Sequence, residues 1–209
     1  MKIGIIGATG KQGNLVLLEA YRRGHEVTAL IRDQSKLVHE VPFIEKELYD
    51  LTPAELEEFD VIVNAFNALD IMPQLHQTSL RHITKVLKDL DTRLYVVGGA
   101  GSLYIDDSKT TQLFETDDFP AAFLPTATNM AKALEELRNS KGTNWTYVSP
   151  AANFDFEGDK TGQYQIAGEV LTLNAQGESS ISYLDYASGL IEIIESGKFN
   201  KERVSLVSK

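Results

Sequence analysis

The sequence predicts an α/β fold in which a mainly parallel sheet carries helices on both faces. Three observations support this prediction. The chain opens on an apolar run that breaks into glycines, further apolar runs alternate with helical patterns, and no internal repeat or low-complexity linker interrupts them. With 209 residues, of which 43% are hydrophobic, the chain can bury one substantial core, so residues 1–209 are predicted to form a single domain.

Each element follows from a local pattern. After the first strand, five buried β-rich runs predict strands at 26–31, 43–48, 61–65, 94–97 and 145–148. Helical patterns separate them at 11–23, 53–58, 73–90 and 126–139. Two of these helices begin with proline, which is favoured in the first turn. The loops that follow the strands are therefore expected along one edge of the sheet, where such folds bind ligands.

The last third of the chain is less regular. Residues 164–173 alternate well enough to predict a hairpin around Gly168, and 151–180 is predicted to be a small substrate-side lid. A helix is predicted at 182–195 and a closing strand at 203–207. The loop 98–125 is long for a compact domain, and loops of that length often carry function.

The opening run contains glycines at Gly7, Gly10 and Gly13, each three residues apart. A glycine-rich turn between a buried strand and a helix lets the backbone approach a pyrophosphate at the N-terminus of that helix. Alone, this pattern is weak evidence, and a turn without a ligand is the alternative. The strand before it, the helix after it and the strand that follows favour a Rossmann-like, doubly wound dinucleotide-binding fold.

In such a fold the residue after the second strand contacts the adenosine ribose, and an arginine at this position accommodates the 2′-phosphate of NADP. Arg32 holds this position, and Lys36 lies one helical turn further on. Asp33, between them, is expected to cap the start of that turn. The pattern favours NADPH over NADH, with a solvated surface role for Arg32 as the alternative.

Further cofactor contacts are predicted where the next strands end. Asp50 and Leu51 are placed to touch the adenine, although Asp50 could instead cap the helix at Pro53. Asn64, Ala65 and Phe66 are placed near the cofactor ribose and the nicotinamide, with ordinary core packing as the alternative for Phe66. The amides of Gly98 and Gly99 could approach the nicotinamide ribose or a substrate anion, and Ser102 is the nearest hydroxyl unless it only forms a turn.

Composition excludes several classes of function. The net charge of -10 argues against affinity for nucleic acid or an anionic membrane. Cysteine is absent, which excludes disulfides and thiolate chemistry, and no metal site is expected because the four histidines lack carboxylates at ligand-like spacing. His76 and His82 share one predicted helix and could border a pocket. No transmembrane run or leader is evident, so a cytoplasmic protein is expected.

The residues also carry a family resemblance. It rests on segments 7–13, 32–33, 98–103, 144–146, 149–151 and 181–187, of which the Gly-Gly-Ala-Gly-Ser-Leu and Ile-Ser-x-x-Asp-Tyr-Ala runs are the most specific. The chain resembles atypical short-chain dehydrogenases of the NAD(P)H-binding group that includes proteins named NADH-flavin reductases. Biliverdin reductase B and NmrA-like proteins are more distant look-alikes.

The resemblance assigns roles residue by residue. It places Gly7, Thr9, Gly10, Lys11, Gln12 and Gly13 at the pyrophosphate, Arg32 and Lys36 at the 2′-phosphate, and Pro150 and Ala151 beside the nicotinamide. Active short-chain dehydrogenases carry the motif Tyr-x-x-x-Lys, and the resemblance places Thr128 and Lys132 of this chain at its two ends. Threonine is too weak an acid to replace tyrosine, and Ser102 lies beyond the usual position of the catalytic serine. Ser102, Thr128 and Lys132 are thus the catalytic candidates, without a clear proton donor.

Hydride transfer to a flavin does not depend on such a proton donor, since the protein chiefly supplies orientation and exclusion of water. We therefore expect an NADPH-dependent oxidoreductase acting on a planar acceptor, with flavin as substrate and not as a prosthetic group. The predicted pocket for this acceptor is lined by Phe66, Tyr104, Met130 and Phe154. For each of these residues, ordinary packing in the core is the alternative. A non-catalytic NADPH-binding sensor and an NAD-dependent epimerase or dehydratase remain open, as do monomer and homodimer.

Overall fold

The computed structural model describes residues 1–68 and 71–209, and in these the chain forms ten strands and five α-helices. The strands are β1 (Lys2–Ile6), β2 (Glu26–Ile31), β3 (Phe43–Glu45), β4 (Val61–Asn64), β5 (Arg93–Val97), β6 (Asn144–Ser149), β7 (Asn153–Asp155), β8 (Tyr164–Ala167), β9 (Ser180–Ser182) and β10 (Glu202–Ser208). The helices are α1 (Lys11–Arg22), α2 (Pro53–Leu56), α3 (Leu75–Val86), α4 (Leu124–Arg138) and α5 (Tyr183–Ser196). None of the described helices is long and apolar enough to cross a membrane.

Eight strands form one sheet in the order β3-β2-β1-β4-β5-β6-β10-β8. Every pair is parallel except the last, in which β8 runs antiparallel to β10. The strand order reverses beside β1, because β2 and β3 lie on one side of it and β4, β5 and β6 on the other. A crevice forms at such a reversal, at the carboxyl ends of the strands. A small parallel pair, β7 with β9, lies apart from the main sheet.

Two hydrophobic cores cover the two faces of the sheet. One buries Val16, Leu17 and Ala20 of α1 with apolar residues of α5, and the other buries apolar residues of α3 and α4. The central strands are apolar on both sides, as parallel strands between two helical layers must be. The predicted Rossmann-like, doubly wound fold is therefore confirmed.

Most predicted elements lie within one or two residues of those observed, and two are shorter than predicted. The third strand ends at Glu45, and Leu48–Asp50 forms a 3-10 turn that buries Leu48 in the core. The helix predicted at 73–90 spans only Leu75–Val86. Apolar residues that pack beyond the end of an element continue its pattern, so periodicity alone overextends it.

The hairpin predicted around Gly168 is wrong. Residues Tyr164–Ala167 form β8, which pairs antiparallel with β10 at the edge of the main sheet. Beyond Gly168, Val170 instead makes an isolated bridge to Tyr104 in the long loop. A strand close to the C-terminus thus supplies the pairing partner, a non-local contact that alternation within 164–173 does not reveal.

Candidate functional site

The carboxyl ends of β1, β4, β5 and β6 meet at one edge of the sheet. Ile6 is paired with Asn64, and Val97 with Val148. Backbone hydrogen bonds continue this alignment into the loops, since Ala65 N donates to Ile6 O at 3.0 Å and Gly98 N donates to Val148 O at 2.8 Å. The register therefore brings the glycine loop, Ala65, Gly98 and Pro150 to one place.

The glycine loop is built for close backbone contact. Gly7 has φ +77°, and a Cβ added there would lie 2.8 Å from Ala65 O. A Cβ on Gly13 would lie 2.2 Å from Gly7 O, because the first turn of α1 packs directly on the end of β1. Gly10 caps α1 without a side-chain bond, so the first N–H groups of the helix keep their capacity to bind an anion. These features fit the pyrophosphate of a dinucleotide.

A cleft of about 670 Å³ opens above these strand ends. Its floor includes Ala65, Gly98 and Pro150, and the first turn of α1 contributes Gly10, Lys11 and Gln12. One wall is formed by the loop after β5 and by α4, and the other by residues 151–154 and the start of α5. The lining is mainly apolar, which suits a ligand with a flat, conjugated ring.

Stacked aromatic rings form one wall of the cleft. The Phe154 ring lies 3.9 Å from that of Tyr183 and 4.9 Å from that of Tyr186, between centroids. Tyr186 is fully buried, and its hydroxyl donates to Val148 O at 2.6 Å, which fixes this stack to β6. The Lys11 ammonium lies 4.1 Å from the centroid of Phe156, next to the same wall.

The structure brings most of the predicted cofactor residues to the cleft. Lining residues from that set are Gly10, Lys11, Gln12, Ala65, Phe66, Gly98, Gly99, Pro150 and Ala151. Gly7 and Gly13 lie behind them in the packing of the glycine loop, and Thr9 lies within this loop, half-buried. Asn64 does not line the cleft; it is buried, and its Oδ1 accepts from Phe66 N at 3.2 Å, which shapes the turn after β4.

Arg32 directly follows β2, and Lys36 ends the short 3-10 turn after it; both side chains are exposed. Arg32 Nη1 is 4.0 Å from a Glu47 carboxylate oxygen, and Lys36 Nζ is 3.4 Å from Asp33 Oδ2. Asp33 caps the short 3-10 turn that follows, as predicted, by accepting from Ser35 N. Ion pairs this exposed are weak, so both cations can turn toward a ligand phosphate.

Of the two adenine contacts predicted after the third strand, that of Leu51 needs correction, and that of Asp50 stays a prediction. Leu51 is 4% exposed and belongs to the core cluster beneath α3, so its side chain is not presented to a ligand. Asp50 is exposed but does not cap the next helix. Thr52 holds the cap position, and the Glu55 carboxylate accepts from Thr52 N and from its hydroxyl. Burial of Leu51 depends on α3, which the local sequence does not reveal.

The three catalytic candidates lie outside the cleft. Ser102, Thr128 and Lys132 line a separate depression between the long loop and the far side of α4. Ser102 is buried, and its Oγ accepts from Arg203 Nη1 at 3.0 Å, which gives it a structural role. Thr128 and Lys132, the positions aligned with Tyr-x-x-x-Lys, therefore lie on a side of α4 that does not face the cleft. The residues of α4 that face the cleft are Thr126, Ala127 and Met130.

The predicted substrate pocket is assembled only in part. Phe66, Met130 and Phe154 all line the cleft. Tyr104 does not, because it bridges Gln112 and Val170 and lies against the Arg203 guanidinium, 5.9 Å from the ring centroid. The sequence reasoning missed Phe119, Phe123 and Tyr183, which also line the cleft. The length of loop 98–125 was the available signal for the first two.

His76 borders the cleft, as the sequence suggested. Burial lowers the pKa of its imidazole from the ordinary value, so the ring is uncharged at neutral pH. The unfolded chain binds a proton near pH 6.5 while the folded chain resists it. We therefore expect the full unfolding free energy above that pH and a progressive loss as the pH falls through the unfolded and then the folded pKa.

Urea unfolding of the wild type and of His76→Gln, at pH 7.5 and at pH values below about 6, measures this effect. The variant should lose less stability on acidification than the wild type. An identical pH dependence of the two proteins would show that His76 is not the responsible group.

Comparison with known proteins agrees with this geometry. The family model described as NAD(P)H-binding matches residues 7–196. YwnB of Bacillus subtilis (strain 168) is 46% identical over 211 residues, covering all of this chain and 99% of the relative. The crystal structure of a Streptococcus pneumoniae TIGR4 protein named "putative NADH-flavin reductase" is 45% identical, covers both chains completely and has a TM-score of 0.96.

A Bacteroides thetaiotaomicron protein whose name calls it an epimerase is 30% identical, covers 99% of this chain and 96% of its own, and has a TM-score of 0.84. Names in this group thus differ while the fold is shared, so the names alone do not decide the reaction. The family match spans most of the chain, and the glycine loop has the packing that a dinucleotide needs. The chain belongs to the NAD(P)H-binding family and has its oxidoreductase fold.

Proposed function

We propose that this protein is an NADPH-dependent reductase of a flavin or a similar planar, conjugated acceptor. The observation that supports this most is the cleft itself. A large apolar space with aromatic walls continues directly from the glycine loop, so a flat ring can lie against the nicotinamide end of a bound dinucleotide. Bound NADPH would supply the hydride.

The chain would hold the dinucleotide at four places. The glycine loop and the N-terminus of α1 would bind the pyrophosphate. Arg32 and Lys36 would bind the 2′-phosphate, and the small side chain of Ala65 would leave room for the ribose. The buried Oε1 of Gln12 has no hydrogen-bond partner among the described residues, and it would accept from a group of the bound cofactor.

Hydride transfer between stacked rings requires little acid–base chemistry from the protein. The cleft-facing positions Thr126 and Met130 are four residues apart on α4, the spacing of Tyr-x-x-x-Lys, and carry neither a phenol nor an amine. The absence of a tyrosine and a lysine at these positions disfavours carbonyl reduction and epimerisation by the short-chain dehydrogenase route, in which the tyrosine of that motif moves the proton. Reduction of a stacked planar acceptor depends instead on distance, orientation and exclusion of water.

The test follows nicotinamide absorbance while purified protein is mixed with NADPH or NADH, with and without FMN. FMN-dependent oxidation, faster with NADPH, is the expected result. Consumption of neither nucleotide despite NADPH binding would overturn the enzyme proposal. The lack of a proton donor at the cleft-facing positions of α4 would then favour a second candidate, an NADPH-binding sensor without turnover.

Arg32→Ala should weaken NADPH binding and leave NADH binding nearly unchanged. Loss of one charge-assisted hydrogen bond, worth about 1.5–3 kcal/mol, corresponds to roughly a tenfold to hundredfold higher Kd for NADPH. Fluorescence titration with both nucleotides measures this selectivity. Arg22→Ala, at the exposed far end of α1, is the matched control and should change neither affinity. Equal losses for the two nucleotides in Arg32→Ala would argue against a 2′-phosphate contact.

A further inference from the structure

His76 occupies the point where α3 meets the cleft. It is 6% exposed, lines the cleft, and packs edge-on against Phe66 with the ring centroids 6.2 Å apart. Its Nε2 is buried and has no hydrogen-bond partner among the residues that the structure describes. An imidazole nitrogen enclosed without a partner costs free energy, which a ligand or a water that hydrogen-bonds to it would recover.

A small cavity of about 20 Å³ adjoins the same ring. Its lining includes the polar residues Asn64, His76, Ser79 and Tyr147. This volume suits one water molecule, and a buried water needs two to four polar partners of the kind found here. The Tyr147 hydroxyl already accepts from Gly99 N at 3.2 Å, and burial raises the pKa of this phenol, so it keeps its proton.

The hydride step itself needs no acid, but the net reduction of FMN also takes up one proton. When FMN is reduced by NADPH, the C4–H bond of the nicotinamide breaks and its electron pair forms an N–H bond on the acceptor. NADP⁺ leaves, and the negative charge left on the acceptor is neutralised by one proton at a second ring atom. A group at the cleft that can deliver this proton would therefore assist the reaction.

Four of the described cleft-lining residues carry titratable side chains, namely Lys11, His76, Asp118 and Tyr183. The Lys11 ammonium lies over the Phe156 ring, next to the loop expected to bind phosphate. Asp118 is exposed on the long loop. Tyr183 is stacked on Phe154, and burial raises the pKa of its phenol, so it is a poor acid. His76 is the remaining group, and a neutral imidazole can take up a proton at one ring nitrogen while it releases one from the other.

From this geometry we propose that His76 contacts the acceptor in the cleft and passes it a solvent proton, which a water in the adjoining cavity relays to the ring. This inference rests on the proposed function. The negative charge that arrives with the hydride draws the N–H proton of the neutral imidazole to the acceptor, while the other ring nitrogen takes a proton from the cavity water beside Asn64 and Tyr147. That water takes a proton from solvent in turn, so one solvent proton is consumed and no hydroxide is left. His76 is neutral before and after the step.

Steady-state kinetics with NADPH and FMN test the proton step. His76→Gln should lower kcat by about tenfold to a hundredfold, the lower part of the range for general acids, and leave KM for NADPH within about twofold. His76→Ala should behave alike and recover kcat on addition of free imidazole, which a purely structural residue would not allow. A kcat within about twofold of wild type in His76→Gln would overturn the inference.

His82 provides a matched control on the same helix. Its Nε2 is likewise buried without a partner among the described residues, but the ring packs on Tyr49, 5.5 Å away, and not on the cleft. His82→Gln and His82→Ala should keep wild-type kcat, with no imidazole rescue. If His82→Gln and His76→Gln lost kcat equally, both losses would be effects of disturbed packing, and the inference would be overturned.

A second measurement does not depend on turnover. NMR of ring-labelled histidines in the wild-type protein, saturated with NADP⁺ and titrated with FMN, should shift the His76 signals and leave those of His82 unchanged. Unchanged His76 signals would show that His76 does not contact FMN and would overturn the inference. If the wild type fails to oxidise NADPH with FMN, the proposed function and the proton step fail together, and this titration alone decides whether His76 contacts the ligand.

Discussion

Gly13→Ala is expected to abolish NADPH binding and to destabilise the protein by about 1–3 kcal/mol, the usual cost of overpacking. Helix propensity alone predicts that Gly13→Ala stabilises the protein, since alanine is favoured over glycine within a helix by about 1 kcal/mol. The added Cβ would lie 2.2 Å from Gly7 O and 2.8 Å from Gly7 C. Both are backbone atoms of the glycine loop, so relief requires α1 to move away from β1.

Urea unfolding and NADPH titration together measure this result. Gly168→Ala is the control, because a Cβ there meets nothing within 4 Å and the backbone is not left-handed. It should stay within about 0.5 kcal/mol of wild type. A Gly13→Ala protein that is stabilised and still binds NADPH would show that the loop and the helix separate without cost.

Glu169→Leu is expected to destabilise the protein by about 3–5 kcal/mol, because it leaves a buried cation unpaired. The Arg203 side chain is 1% exposed, and one of its nitrogens pairs with the Glu169 carboxylate while another donates to Ser102 Oγ at 3.0 Å. Burial lowers the pKa of the Arg203 guanidinium from its ordinary value, and the Glu169 carboxylate opposes that shift. Glu169 also accepts from Arg138 at 2.8 Å, which ties α4 to the segment after β8.

An exposed ion pair serves as the matched control. Glu136 holds Arg81 through two hydrogen bonds of 2.6 and 2.9 Å at the surface of α3 and α4, where water screens both charges. Glu136→Leu should therefore leave the unfolding free energy nearly unchanged. The double variant Arg203→Met with Glu169→Leu should regain most of the loss, because no unpaired charge remains. If Glu169→Leu is no more destabilised than Glu136→Leu, the buried pair does not contribute as described.

Local pattern predicted the parts of the site that depend on the backbone. The spacing of Gly7, Gly10 and Gly13 between a buried strand and a helix predicted the turn that the structure has, because a glycine is required wherever two backbones must touch. Asp33 capped the turn after β2 for a similar reason, since a cap acts within three residues of itself. Such interactions are readable because their partners are close in sequence.

The side chains of the cleft were harder to predict. Thr128 and Lys132 matched a motif by spacing, but α4 presents Thr126 and Met130 to the cleft. Two residues along a helix turn a side chain by about 200°, so a small error of alignment moves it to the opposite side. The direction of α4 is set by its packing on α3 and the sheet, which the local sequence does not contain.

Local patterns were enough to predict the doubly wound sheet, the glycine loop and the positions of Arg32 and Lys36, because strand and helix periods and turn residues act over short distances. Long-range packing places Leu51 in the core, Ser102 against Arg203 and β8 beside β10. It also brings His76, one of the two histidines that the sequence offered for a pocket, to the cleft. Each of these depends on contacts between segments far apart in the chain, whose relative placement is fixed only when the two cores pack.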